Sequence, residues 1–92
     1  RMNATAAGVV MYATDWCPYC SRARKLLDSK QVAYREIDIE MSPEARAEMQ
    51  RRSGRTSVPQ IFVGDVHVGG SDDLHALEAR GELDALLAKA GK

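Results

Sequence analysis

The apolar run Val9 to Ala13 leads almost directly into Trp16-Cys17-Pro18-Tyr19-Cys20, and helical periodicity begins there. Consecutive apolar positions suit a strand covered on both faces, and β-branched Val9 and Val10 favour strand over helix. Both cysteines of the chain fall in this one turn. A Cys-x-x-Cys turn that closes onto a helix start puts one sulfur at the helix N-terminus and the other about one turn inside. The chain therefore opens with a central strand, a cysteine turn and a helix.

Downstream, Ala23, Leu26 and Leu27 recur at helical spacing opposite Arg22, Arg24, Lys25 and Asp28, which predicts an amphipathic helix over Pro18–Lys30 with Pro18 in its first turn. Val32–Ile39 alternates as a second strand, with Ile37 and Ile39 on one face. Ser42-Pro43 reads as an N-cap and first helical residue; Ala45 and Met49 form a thin apolar stripe, and Gly54 is the stop. Gln60–Val63, the turn Gly64-Asp65 and Val66–Val68 form an antiparallel hairpin. Gly69-Gly70 then precedes Ser71 as an N-cap, with Asp72 and Asp73 in a first turn that favours negative charge and Leu74 and Leu77 on the packed face. After Gly81, Leu83, Leu86, Leu87 and Ala90 restart a helical pattern. The order is βαβ, helix, β-hairpin, two helices. Because a strand-helix-strand crossover is parallel and right-handed, the class is α/β with one mixed sheet and helices on both faces.

Ninety-two residues make one small domain, assigned to 9–90. Residues 1–8 have no apolar core of a secretory signal; Arg1 before Met2 reads as tag-derived, and the segment is expected to be disordered. Thirteen basic and thirteen acidic side chains cancel, so no global field attracts nucleic acid, and no apolar run reaches the roughly 20 residues that span a bilayer. Two closely spaced cysteines without a wider framework point to redox catalysis or metal in a reducing compartment, and the expected location is cytoplasmic. A structural zinc site would need four ligands, and His67 and His75 show no ligand spacing to the pair. No metal is assigned.

With Cys17-Pro18-Tyr19-Cys20 at a strand-to-helix turn, Thr56-Ser57-Val58-Pro59 before the third strand and Gly69-Gly70-Ser71-Asp72-Asp73 before the third helix, the sequence resembles the glutaredoxins, most closely the small bacterial dithiol type. The resemblance runs from Val9 to Leu87. It implies the thioredoxin fold, a four-stranded mixed β-sheet flanked by helices in the order βαβαββαα. It also implies a glutathione-dependent thiol-disulfide oxidoreductase acting on protein-glutathione mixed disulfides and protein disulfides. Glutathione is then a co-substrate, no cofactor is tightly bound, ribonucleotide reductase is a candidate protein substrate, and a monomer is expected. An alternative from another class is a homodimeric carrier of a glutathione-ligated [2Fe-2S] cluster. Pro18 disfavours it, since cluster-binding relatives usually have a smaller residue there.

Cys17 is the expected nucleophile, because the thiolate is the attacking species and helix N-terminal amides favour negative charge; Cys20 is the expected resolving thiol. By resemblance, Pro59 is a cis-proline that leaves the Val58 main chain free to pair with the cysteinyl part of glutathione. Gly70, Ser71, Asp72 and Asp73 suit its γ-glutamyl carboxylate and ammonium, although a helix cap with dipole-matched acids explains the same residues. Tyr19 is expected to flank the glutathione channel or to pack as an ordinary aromatic. Arg46 stands where the family often meets the glycyl carboxylate, or on a solvated basic face with Arg51, Arg52 and Arg55. Thr14 departs from the family, which commonly has lysine there; Arg46 and Arg55 are the candidates to compensate.

Overall fold

The computed structural model describes residues 8–90, and for Ala90 the backbone only. The expectation for the N-terminal segment thus lies, except for Gly8, outside the described residues, as does the packing of the Ala90 side chain. The elements are β1 (Val9–Ala13), α1 (Pro18–Ser29), β2 (Arg35–Asp38), α2 (Pro43–Ser53), β3 (Gln60–Val63), β4 (Val66–Gly69), α3 (Ser71–Ala79) and α4 (Leu83–Ala90).

The sheet order is β2-β1-β3-β4. β1 runs parallel to β2, with Tyr12 beside Ile37, and antiparallel to β3, with Met11 beside Ile61. β3 and β4 are antiparallel, with an irregularity between Ile61 and Phe62. This is the four-stranded mixed sheet of the thioredoxin fold. Alternation along the inner strands divides the core. Val9, Met11, Ala13, Ile61 and Val63 face Ala23 and Leu27 of α1, Leu74 of α3, and Leu83 and Leu87 of α4. Tyr12 and Phe62 face the other way, onto Ala45 and Met49 of α2 and onto Ile39. Met11, Leu27, Met49, Ile61, Leu74 and Leu83 are fully buried, which for side chains of this size contributes roughly 1.5–3 kcal/mol each.

Polar ties fix the helices on these faces. The Tyr12 hydroxyl donates to Glu48 at 3.0 Å and accepts from Arg52 at 2.9 Å, and the Arg52 guanidinium lies 4.0 Å from the Phe62 ring centroid. Lys30, capping the C-terminus of α1, reaches Glu78 of α3 at 2.7 Å and Asp84 of α4 at 2.9 Å. Ser42 caps α2 as expected, its hydroxyl accepting from Ala45 N at 3.1 Å, and Gly54 ends the helix in the left-handed region at φ 70°.

Two expectations need correction. The second strand is shorter than Val32–Ile39, because Gln31 reverses the chain at φ 58° and Val32 and Tyr34 pack on the core as a loop before pairing starts at Arg35. The N-cap of α3 is Gly70, not Ser71; Ser71 is already helical and buried, and Asp73 reaches back to accept from Gly70 N at 2.9 Å. A carboxylate at the third helical position that satisfies the cap amide makes a hydroxyl at the cap unnecessary. Among the described residues, no helix is long and apolar enough to cross a membrane.

Candidate active site

β1 ends at Ala13, and a short turn carries Cys17 to the N-cap of α1, with extended backbone at φ −107° and ψ 113° and Pro18 next in the first turn. The Cys17 sulfur accepts from the Cys20 amide at 3.1 Å and donates to the Val58 carbonyl at 3.6 Å. An N–H aimed at sulfur from a helix N-terminus is an interaction the thiolate keeps, whereas the bond to Val58 exists only while the thiol holds its proton. Cys17 is half-buried and Cys20 fully buried, and both are free thiols. Burial, and next the hydrogen bond with Cys17, push the Cys20 thiol well above its ordinary value. The two sulfurs are thus unequal. One can reach a substrate, and the other can reach only the first.

Around Cys17 the surface is apolar and open: Trp16 is 87% exposed and Tyr19 56%. Beyond it lies a cleft of about 260 Å³. One wall is the loop before β3, with Arg55, Ser57, Val58 and Pro59; the other is the start of α3, from Gly70 to Asp73; Tyr19 closes the end nearest the cysteines. The Val58–Pro59 peptide is cis. Asp73 is committed twice, to the Gly70 amide at 2.9 Å and to Arg55 Nη1 at 3.1 Å; the amide first and the guanidinium second hold its carboxyl below the usual range. Asp72, by contrast, has an 87% exposed side chain and only a distant approach to Arg22 at 3.9 Å. It is the acid available to a ligand.

The residues singled out in the sequence therefore separate. Tyr19, Val58, Pro59, Gly70, Ser71, Asp72 and Asp73 line one cleft, and Cys17 adjoins it through Val58. Arg46 does not line it; it is exposed on α2, whose buried residues are Ala45 and Met49. Arg55, in the loop after α2, brings the positive charge instead. The Gly70 amide is already satisfied by Asp73, so the first-turn amides of α3 beyond it are those free to meet an anion.

Gln60 stands behind the loop and has no place in a motif-based reading. Its side chain is fully buried; Nε2 donates to the Ser57 carbonyl at 3.0 Å, and Oε1 accepts from His67 Nε2 at 2.7 Å. The signal was a polar residue opening an otherwise apolar strand. His67 also stacks on Phe62 at 4.8 Å between centroids, and His75 Nδ1 donates to the Ser71 carbonyl at 2.8 Å, so both histidines have structural partners. Among the described residues, no group of three or more His, Cys, Asp or Glu converges as a metal site would require.

Comparison with known proteins bears directly on this arrangement. The Glutaredoxin family model matches residues 9–68. A glutaredoxin of Pseudomonas aeruginosa is 59% identical over 80 residues, covering 87% of this chain and 95% of that protein. The solution structure of a glutaredoxin from Brucella melitensis superposes with a TM-score of 0.77 at 58% identity, over 91% of this chain and 90% of that one. A buckwheat glutaredoxin-glutathione complex superposes with a TM-score of 0.85 at 27% identity, over 96% and 84% respectively.

Proposed function

The chain belongs to the glutaredoxin family of thiol-disulfide oxidoreductases, and on that premise we propose that its reductant is glutathione and its substrates are protein-glutathione mixed disulfides and protein disulfides. The observation that carries the reading is the cleft beside Cys17, whose walls match a γ-glutamyl-cysteinyl-glycine peptide part by part. The Val58 main chain suits the cysteinyl backbone, the free first-turn amides of α3 suit the γ-glutamyl carboxylate, and exposed Asp72 suits its ammonium. Arg55, rather than Arg46, is the cation for the glycyl carboxylate, in the absence of a basic residue at Thr14. That a buckwheat glutaredoxin of the same fold forms a complex with glutathione supports glutathione as the ligand.

On a glutathionylated protein, the Cys17 thiolate attacks the glutathione sulfur. A Cys17-glutathione disulfide forms, and the protein thiolate leaves and takes a proton from water. A second glutathione thiolate attacks the glutathione sulfur of that adduct, giving glutathione disulfide and returning Cys17 as thiolate. On a protein disulfide, Cys17 attacks one sulfur, and Cys20, after losing its proton to solvent, attacks Cys17 and closes the Cys17–Cys20 bond with release of the second protein thiol. Two glutathiones then reduce that bond, so each cycle moves two electrons from glutathione to substrate.

The decisive experiment is turnover of a glutathionylated peptide by glutathione and glutathione reductase. Wild type and Cys20→Ser should both turn over and Cys17→Ser should not. Absence of turnover in the wild type would remove glutathione from the reading.

A further inference from the structure

We propose that Arg24 is a positioning residue for the resolving thiol: anchored to the Thr14 carbonyl and standing one turn beyond Cys20 on the same helix, it fixes the strand-to-helix turn against the Cys20 sulfur. The proposal rests on the division of labour between Cys17 and Cys20 given above.

Cys20 and Arg24 are four residues apart in α1, a spacing that puts them on one helix face. Arg24 is three-quarters buried and makes three hydrogen bonds. Its Nε and Nη2 grip Glu36 of β2 at 2.8 and 2.6 Å, and Nη2 also donates to the Thr14 carbonyl at 3.2 Å. Thr14 directly follows β1, whose last residue, Ala13, is buried in the same core cluster as Cys20. Burial and the Cys17 sulfur both disfavour the Cys20 thiolate; the Thr14 main chain and the Arg24 charge work in the opposite sense. One side chain thus both holds the backbone of the turn and supplies the charge. Glu36 and Tyr34 face that guanidinium, so Arg24 acts from within a partly neutralised pair, and its hold on Thr14 matters as much as its charge.

Only closure of the Cys17–Cys20 bond uses Cys20 as a nucleophile. The Cys20 thiolate attacks Cys17, the bond from Cys17 to the outgoing sulfur breaks, and that sulfur leaves as thiolate. Loss of Arg24 should slow this step and leave the Cys17-only route alone.

Closure can be followed without glutathione. Reduced protein mixed with hydroxyethyl disulfide forms a Cys17 mixed disulfide, which then closes with release of mercaptoethanol, and quenched samples read by mass resolve the two steps. Arg24→Gln should close about three- to tenfold more slowly with the first step unchanged, and Arg24→Lys should recover most of the rate. Glu36→Gln, which weakens the tie between α1 and β2 but keeps the charge and the Thr14 contact, should close at least as fast as wild type. Equal slowing in Arg24→Gln and Glu36→Gln, slowing of both steps in Arg24→Gln, or no change in Arg24→Gln would each overturn the proposal. A Cys20→Ser control should stop at the mixed disulfide; failure to accumulate it would overturn the division of labour itself, which is distinguishable from a failure of Arg24.

Discussion

The Cys20 amide lies 3.1 Å from the Cys17 sulfur and points its hydrogen at it, while the Cys20 sulfur itself is wholly enclosed. One residue thus supplies the charge-favouring donor and the second thiol, in positions that keep the roles distinct. Iodoacetamide at neutral pH should accordingly modify Cys17 at least about tenfold faster than a free thiol, with Cys20 nearly unmodified in the folded state. Peptide mapping by mass spectrometry checks both sites, and equal labelling of the two cysteines would contradict the geometry.

Asp72 and Asp73 are adjacent in sequence and should behave differently. Asp72→Ala should raise the Michaelis constant for glutathione about three- to tenfold with little change in melting temperature, because its carboxylate is exposed and approaches only Arg22, at 3.9 Å. Asp73→Asn should cost stability, about 0.5–1 kcal/mol for a cap interaction of this kind. The sign with pH follows from its lowered carboxyl value: the stabilisation is present above the unfolded value near 3.9 and disappears as pH falls through the folded one. Melting curves from pH 6 to pH 3 should show the gap between wild type and Asp73→Asn closing only below about pH 4.

Local pattern made much of this legible. β1, the helix begun by Pro18, the Ser42 cap, the Gly54 stop and the hairpin all follow from neighbours in sequence. What escaped depends on partners far along the chain. The start of β2 is set by where Val32 and Tyr34 find the core, and nothing in 32–39 alone reports that. Arg46 and Arg55 are equivalent as sequence; only the end of α2 and the following loop decide which charge meets the cleft. Gln60 gains its meaning from His67 across the hairpin and Ser57 behind it.

The bond between buried Gln60 and half-buried His67 yields a second stability prediction. Gln60→Leu leaves the His67 ring N–H without its partner, and should cost about 1–3 kcal/mol in chemical denaturation. His67 is held below its ordinary value, first by burial and then by Arg55. The unfolded chain therefore binds the proton more readily, and stability falls as pH drops through the unfolded value near 6.5 toward the folded one. His67→Gln should remove that part of the slope between pH 7 and 5, and an unchanged slope would exclude His67 as its source.

The third concerns Gly69, which is buried and adopts φ 115°, a region side chains rarely enter. A Cβ there would collide with the Asp73 carboxylate, the group that caps Gly70 and meets Arg55. Gly69→Ala thus has two costs: a strained backbone, and displacement of Asp73 from the wall of the cleft. Together they should remove about 2 kcal/mol or more of stability and raise the Michaelis constant for glutathione. The costs separate in a double-mutant cycle, because with Asp73→Ala the obstruction is gone and only the backbone term remains. Gly69→Ala should therefore be less damaging in the Asp73→Ala background than in the wild type. Strict additivity would mean that the two residues do not share the space the structure assigns to them.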